Sequence, residues 1–319
     1  MNTAHIASTG LFVPARVQTA EELAPLLGRS AEWIRSRTGV GERRISDLSM
    51  PEMAAAAARE ALGEGPPPDL VINASVTPVQ LLPDSSVFIL RELGLNGIPG
   101  FSVHCSCLSF LVALQQAAAM VACGGAKRVL VVSSEKATDS RDFTEPESAA
   151  LLGDGAAAAV IEPGEGGSAI LGTRFSTWPE SARHAEIRGF GTRHHPSDPQ
   201  TTSSDNLFHM NGPRLLRRAL PAVAELVGGL LGEHGLSPEQ VDVVVPHQAS
   251  GLGVRAVQRF GFRPDQVVDV VGEYGNCVAA SMPMALARAE RDGRLRLGST
   301  VLLLGTGSGL SVGGALLRW

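Results

Sequence analysis

Four short apolar runs constrain this chain more than any other feature. They are Asp69–Ser75 (DLVINAS), Lys127–Ser133 (KRVLVVS), Val241–Val245 (VDVVV) and Ser299–Gly305 (STVLLLG). Each is far shorter than the roughly 20 apolar residues needed to cross a bilayer. None shows the in–out alternation of a strand with one wet face. They read as strands buried on both faces of a largely parallel sheet. Helical segments are expected between and around them, at Ala20–Leu27, Ser30–Ser36, Met50–Leu62, Ser85–Leu93, Met210–Leu231, Leu252–Phe260 and Ala279–Arg291. Further strands are expected at His5–Val13, within Ala149–Ile161, at Val267–Val271 and at Leu310–Trp319. Strands alternating with helices define an α/β chain.

The runs also rhyme. DLVINAS corresponds to DVVVPHQ, and RVLVVSSE to TVLLLGTG, half a chain apart. A duplicated α/β unit follows. Composition turns to Pro, Gly and Glu near Pro163–Gly167, so we divide the chain into residues 1–165 and residues 166–319. The stretch Thr177–Asn206 is too polar and too long for an ordinary connection and is expected to form a cap over a pocket.

Composition excludes several functions. Net charge is −5 and aromatic residues make up 4% of the chain, which favours neither a basic nucleic-acid surface nor base-stacking platforms. The cysteines Cys105, Cys107, Cys123 and Cys277 form neither a disulfide framework nor a zinc pattern. His104, Cys105 and Cys107 lack a second cluster to complete four metal ligands; of the histidines in the expected cap, His184, His194 and His195, the His194-His195 pair before Pro196 reads as a solvated loop rather than a metal site. The start, MNTAHIASTG, has no basic region leading into an apolar core, so a cytoplasmic protein is expected, with no membrane or nucleic-acid partner.

The reactive candidates sit where strands end. Gly100–Gly125 begins extended, becomes a long Ala-rich helix, and carries Cys107 at the switch. A helix start has unpaired N–H groups and partial positive charge, which favour thiolate over thiol. Val241–Val245 delivers His247, GEYGN delivers Asn276, and Ser299–Gly305 runs into the Gly307-Ser308-Gly309 turn. Singly, these residues have plainer readings: a buried thiol, a hydrogen-bonded core histidine, a turn asparagine. Jointly they fall where α/β sheets gather ligands. The set suits acyl-thioester chemistry without metal or organic cofactor. Cys107 becomes acylated, and its own amide together with the Gly307–Gly309 turn supplies oxyanion donors. His247 and Asn276 donate to a second thioester carbonyl, stabilising the enolate left when a malonyl-type carboxylate departs as carbon dioxide.

Six segments carry a family resemblance. RSAEWIRSRTGVGERRI, FSVHCSCLSFLVAL, LLGDGAAAAV, VVPHQAS, YGNCVAASMPMAL and GTGSGLSVGGALLRW resemble, in order and spacing, motifs of β-ketoacyl-acyl-carrier-protein synthase III and its relatives in the thiolase superfamily. The resemblance implies a five-layered αβαβα fold built from two duplicated halves, a homodimer, and a triad of Cys107, His247 and Asn276. It implies oxyanion donors at the amides of Cys107 and Ser308. It also implies substrate contacts at Trp33, Arg37, Leu82 and Gly307, with the loop around Leu82 crossing the dimer interface to line the partner's acyl pocket. The substrates implied are thioesters of coenzyme A, of an acyl-carrier protein, or of both.

The departures point to a specialised paralogue in fatty acid or polyketide biosynthesis. Leu82 stands where the housekeeping fatty-acid initiation enzyme has an aromatic residue, which opens the pocket to acyl groups longer than acetyl. Pro146 and Leu252 stand where arginines contact coenzyme A and carrier protein, while Trp33 and Arg37 of the entrance pair remain. Relatives that join two long acyl chains use a glutamate from the interface loop, and Thr77–Leu82 has no carboxylate. The activity expected is condensation from an acyl-Cys107 intermediate. The alternatives are acyl transfer from Cys107 to an oxygen or nitrogen nucleophile, and a noncatalytic acyl-binding subunit.

Overall fold

The structure, a computed structural model, describes residues 3–164 and 166–319. The expected half boundary falls on Glu165, outside the described residues. Before it lie strands β1 (Ala4–Phe12), β2 (Arg16–Thr19), β3 (Glu42–Ile45), β4 (Leu70–Asn73), β5 (Gly100–Ser102), β6 (Val129–Lys136) and β7 (Asp154–Pro163). The helices of this part are α1 (Ala20–Leu27), α2 (Ala31–Thr38), α3 (Met50–Leu62), α4 (Ser85–Leu93), α5 (Ser109–Ala122) and α6 (Pro146–Ala149). After it come β8 (Ala169–Ser181), β9 (Ala185–Glu186), β10 (His209–Met210), β11 (Val243–Pro246), β12 (Thr300–Gly307) and β13 (Gly309–Arg318). They are joined by α7 (Gly212–Glu233), α8 (Gly251–Ala256), α9 (Val271–Tyr274) and α10 (Ser281–Arg291).

Two sheets form the frame, one ordered β1-β7-β6-β4-β5 and the other β11-β12-β13-β8. The correspondence read from sequence reappears in the pairing. β4 runs parallel to β6 as β11 does to β12, and β6 and β12 each pair antiparallel with the strand after them.

The continuous apolar runs now have a cause. Successive strand side chains point to opposite faces. Val71, Leu130 and Val132 face α3 and α4, packing with Met53, Ala57 and Ile89. Their neighbours Ile72 and Val131 face inward, onto a layer holding Leu111, Leu114, Met282 and Leu286 of α5 and α10. Val245 and Leu303 of the second sheet close that layer from the other side. Val244 and Leu302 face outward against Leu226, Leu230 and Val254 of α7 and α8. The result is the five-layered αβαβα arrangement. Both faces of each central strand are covered, so both are written with aliphatic residues until the strand ends, where buried Asn73, Ser133, Ser134 and Glu135 appear.

Three local expectations change. Val267–Val271 is not a strand: it makes one bridge, Val244 to Val267, and then enters α9. The buried Gln248 carboxamide takes the place of a ladder neighbour, donating to Val268 O at 3.1 Å and accepting from Val270 N at 2.9 Å. Asn276 therefore follows a short helix rather than a strand. Helix α5 begins at Ser109, two residues beyond Cys107. Within the expected cap, β8 continues to Ser181, paired with β13 as far as Gly309.

Candidate active site

The nucleophile candidate stands on a tight elbow. Ser106, immediately before Cys107, has φ of 50°, a left-handed conformation that costs a non-glycine residue about 1–3 kcal/mol. Local hydrogen bonds hold it. Leu108 N–H donates to Cys105 O at 3.0 Å, Ser109 Oγ donates to Ser106 O at 2.7 Å, and Cys105 N–H donates to Ser109 Oγ at 2.9 Å. Opposite, the turn between β12 and β13 runs along the Cys107 backbone. A Cβ on Gly307 would lie 3.5 Å from Cys107 N. At Gly305 a Cβ would come within 2.9 Å of both Leu108 and Met282 and 3.2 Å of His247 Cβ, so this strand approaches the site only as glycine. The amides of Cys107 and Ser308 lie near enough to the Cys107 sulfur to favour its charged form.

His247 follows β11, its N–H donating to Leu304 O at 2.8 Å; its ring is buried and Nδ1 has no partner among the described residues. Asn276 is clasped from LLGDG. Its N–H donates to Leu151 O at 2.7 Å, and its carbonyl accepts from Gly153 N at 3.1 Å. Gly275, with φ of 71°, lets the chain pass, since a Cβ there would sit 2.6 Å from Leu151 O. The Asn276 carboxamide is oriented. Oδ1 accepts from Val278 N at 2.9 Å and from Ser281 Oγ at 3.3 Å, and Nδ2 donates to Ala249 O at 3.3 Å. Val278 reaches that position with φ of 48°, rare for a β-branched residue. One Nδ2 hydrogen is left for a ligand.

Cys107, His247, Asn276, Gly307 and Ser308 line one cavity of about 540 Å³, and Arg37 lies at its mouth. Trp33 and Leu82 are not on its wall. Trp33 packs at the base of α2 beneath Arg29, 5.4 Å from the ring centroid, and Leu82 is 78% exposed on the loop before α4. Among the described residues, no group of three His, Cys, Asp or Glu side chains is placed to hold a metal, and no helix is long and apolar enough to cross a membrane.

The electrostatics correct the thiolate expectation. Cys107 is accessible only in part, and burial pushes its thiol up to about 12; the Glu135 charge adds to this, and the two amides oppose it without prevailing. A helix-start effect of about 0.3–1 kcal/mol is too small to reverse such burial, and Cys107 precedes the first turn. Burial also pulls His247 down to about 4. The resting pair is a thiol and a neutral imidazole, which offers one donor and one acceptor.

Sequence reasoning missed part of the site. Glu147 lies at the mouth and holds Arg37, at 2.9 Å from Nε and 2.8 Å from the terminal nitrogen. Leu215, Leu216, Ala219, Leu220 and Val223 of α7 form much of the cavity wall. Their helical spacing was visible but indistinguishable from an ordinary core-facing stripe. Phe208 and Met210, just past the expected cap, also reach the cavity.

Comparison with known proteins agrees with this architecture. Residues 101–179 match the family model "3-oxoacyl-[acyl-carrier-protein (ACP)] synthase III", and residues 231–319 match the model of its C-terminal part. A β-ketoacyl-[acyl-carrier-protein] synthase III of Laribacter hongkongensis is 35% identical over all of both chains. The Aquifex aeolicus protein of the same name is 32% identical over 98% of this chain and 99% of that protein. The crystal structure of the Aquifex aeolicus synthase superposes with a TM-score of 0.90 over 99% of this chain and all of that one, at 31% identity. The priming β-ketosynthase of the R1128 polyketide biosynthetic pathway superposes with a TM-score of 0.91 over 99% of this chain and 96% of that one, at 30% identity. With this similarity running through both sheets and all the elements that carry the cavity, the chain belongs to the 3-oxoacyl-[acyl-carrier-protein] synthase III family of the thiolase fold.

Proposed function

We propose that this chain condenses acyl thioesters through an acyl-Cys107 intermediate. What carries the reading is the single cavity that combines a thiol flanked by two inward amides with a neutral imidazole and an oriented carboxamide. In the loading step the Cys107 sulfur forms a bond to the thioester carbonyl carbon. Its proton passes to the neutral His247 and then to the departing carrier thiol. The amides of Cys107 and Ser308 hold the oxyanion. In the second step a malonyl-type thioester loses carbon dioxide, and its carbonyl oxygen takes up the developing charge against His247 N–H and Asn276 Nδ2–H. The resulting carbanion attacks the acyl carbon, the C–S bond breaks, and the Cys107 thiol is restored with a proton from solvent. The test is product analysis. A panel of acyl donors with malonyl thioesters is expected to release carbon dioxide and a β-ketoacyl thioester. Transfer of the acyl group only to an alcohol or amine would overturn the condensation reading.

The mouth favours a carrier protein over free coenzyme A. Arg37 is occupied by Glu147, the Trp33 ring by Arg29, and the exposed apolar Leu252 lies on the cavity wall. A carboxylate there repels nucleotide phosphates but leaves an uncharged pantetheine arm unaffected. Glu147→Ala is expected to lower KM for acyl-coenzyme A by about 2- to 5-fold, the size of an exposed ion pair, with a smaller change for the carrier-protein thioester. Equal changes for both donors would count against this reading of the mouth.

A homodimer is supported by the free edge of the first sheet. Among the described residues, strand β5 has no neighbour on its outer side, Phe101 on it is half-exposed, and Leu81 and Leu82 project beside it, 86% and 78% exposed. Pairing with a second copy covers this surface and brings Leu82 to the end of an acyl pocket. Leu82→Phe is expected to shorten the longest acyl chain that acylates Cys107, read by mass spectrometry across a chain-length series. A reducing, cytoplasmic setting suits a chain whose four cysteines are all free.

A further inference from the structure

Glu135 is a buried acid that the proposed chemistry leaves unused. It lies at the end of β6 with no exposed surface. Its carboxylate meets two other segments. Val76 N–H donates at 2.5 Å and Thr77 N–H at 3.4 Å, both from the loop after β4 that leads to Leu81 and Leu82. The Thr77 side chain and the amide of Ala279, in a turn packed against β6, lie close enough to favour its charged form. Ala279 follows Val278, whose N–H fixes the Asn276 carboxamide. One carboxylate thus ties the loop beside the free sheet edge to the segment that aims Asn276. It does so close enough to Cys107 and Cys277 for both thiols to feel its charge.

Burying a carboxylate is unfavourable unless hydrogen bonds replace its water. These donors do so only in part, and burial still pushes Glu135 up to about 8. An apolar residue would fill the space without the penalty, but it could not hold the Val76 and Thr77 amides beside the turn that carries Ala279. The geometry points to Glu135 as a positioning residue for condensation, holding the Asn276 segment and the Val76–Thr77 loop in register beneath Cys107. This rests on the condensing role proposed above.

Two variants separate its reach from its charge. Glu135→Gln keeps the size, but turns an amide NH₂ toward donors and removes the charge that wild type carries above about pH 8. Glu135→Asp keeps the charge and withdraws it by one methylene. Both are expected to lower kcat for condensation by about 10- to 100-fold, the scale of a misplaced site. Acyl loading of Cys107 should change much less, and KM for the acyl donor only slightly. Iodoacetamide labelling of Cys107, followed by peptide mass spectrometry, reads the charge without reference to the reaction. Its pH profile should move to lower pH in Glu135→Gln and stay near wild type in Glu135→Asp. An unchanged ratio of condensation to loading in both variants would overturn the proposal, as would a parallel fall of both steps with Tm. If wild type loads but does not condense with any acceptor, the proposed function fails instead. The labelling profile still reports the Glu135–Cys107 proximity in that case.

Discussion

Cys107→Ala is expected to abolish covalent acylation, lowering the loading rate by at least about 10³-fold, because no other thiol shares its position between two donor amides. The fold should survive. The substitution removes one sulfur at a cavity wall, a loss on the order of 1 kcal/mol. Intact-protein mass spectrometry after exposure to acyl-coenzyme A and acyl-carrier-protein donors reads the result directly. Wild type gains the mass of one acyl group and the variant gains none. A persistent gain in Cys107→Ala would place the nucleophile elsewhere, and Cys105, two residues away on the same elbow, would be examined first.

The second large effect separates the two steps. Asn276→Ala removes the Nδ2 donor held toward the cavity, and removal of one such donor typically costs 10²- to 10³-fold, about 2.7–4 kcal/mol. Condensation should fall by about that factor, while loading, which uses the amides of Cys107 and Ser308, should stay within a few-fold. The substitution also leaves Val278 N–H without its 2.9 Å acceptor, at about 1–3 kcal/mol of stability. Asn276→Asp keeps that acceptor but loses both Nδ2 hydrogens, the outward one and the one given to Ala249 O at 3.3 Å, so it should show the same split between steps. Condensation at the wild-type rate in both variants would remove Asn276 from the mechanism. Continued discharge onto an alcohol or amine would favour acyl transfer.

Much of the fold was legible because both sheets are covered on both faces. Val71 and Ile72 enter different layers, as do Leu302 and Leu303, so the strands had to be written as uninterrupted aliphatic runs. Helices α3 and α4 were readable to the residue, since Ser49 and Asp84 cap their starts and Gly63 and Gly94 end them. Val267–Val271 misled because its apolar pattern is that of a strand, while a side chain from the neighbouring loop, Gln248, takes up its backbone groups. No local pattern reports a bond between positions 248 and 268.

The residues facing the cavity divide the same way. Cys107, His247 and the Gly307–Gly309 turn could be named from one dimension, because α/β sheets place reactive residues just beyond strand ends and such loops are short; Asn276 was named on the same expectation, although the segment before it is the short helix α9. The sequence by itself determined the layered architecture and the identities of these side chains. Only the tertiary structure decided their state. Cys107 rests as a thiol and His247 as a neutral ring because both are desolvated by elements distant in the chain. Arg37 is spent on Glu147, 110 positions away, and Glu135 meets loops near positions 76 and 279. Desolvation and ion pairing depend on distance in space, which the order of residues along the chain does not contain until the sheets have closed around them.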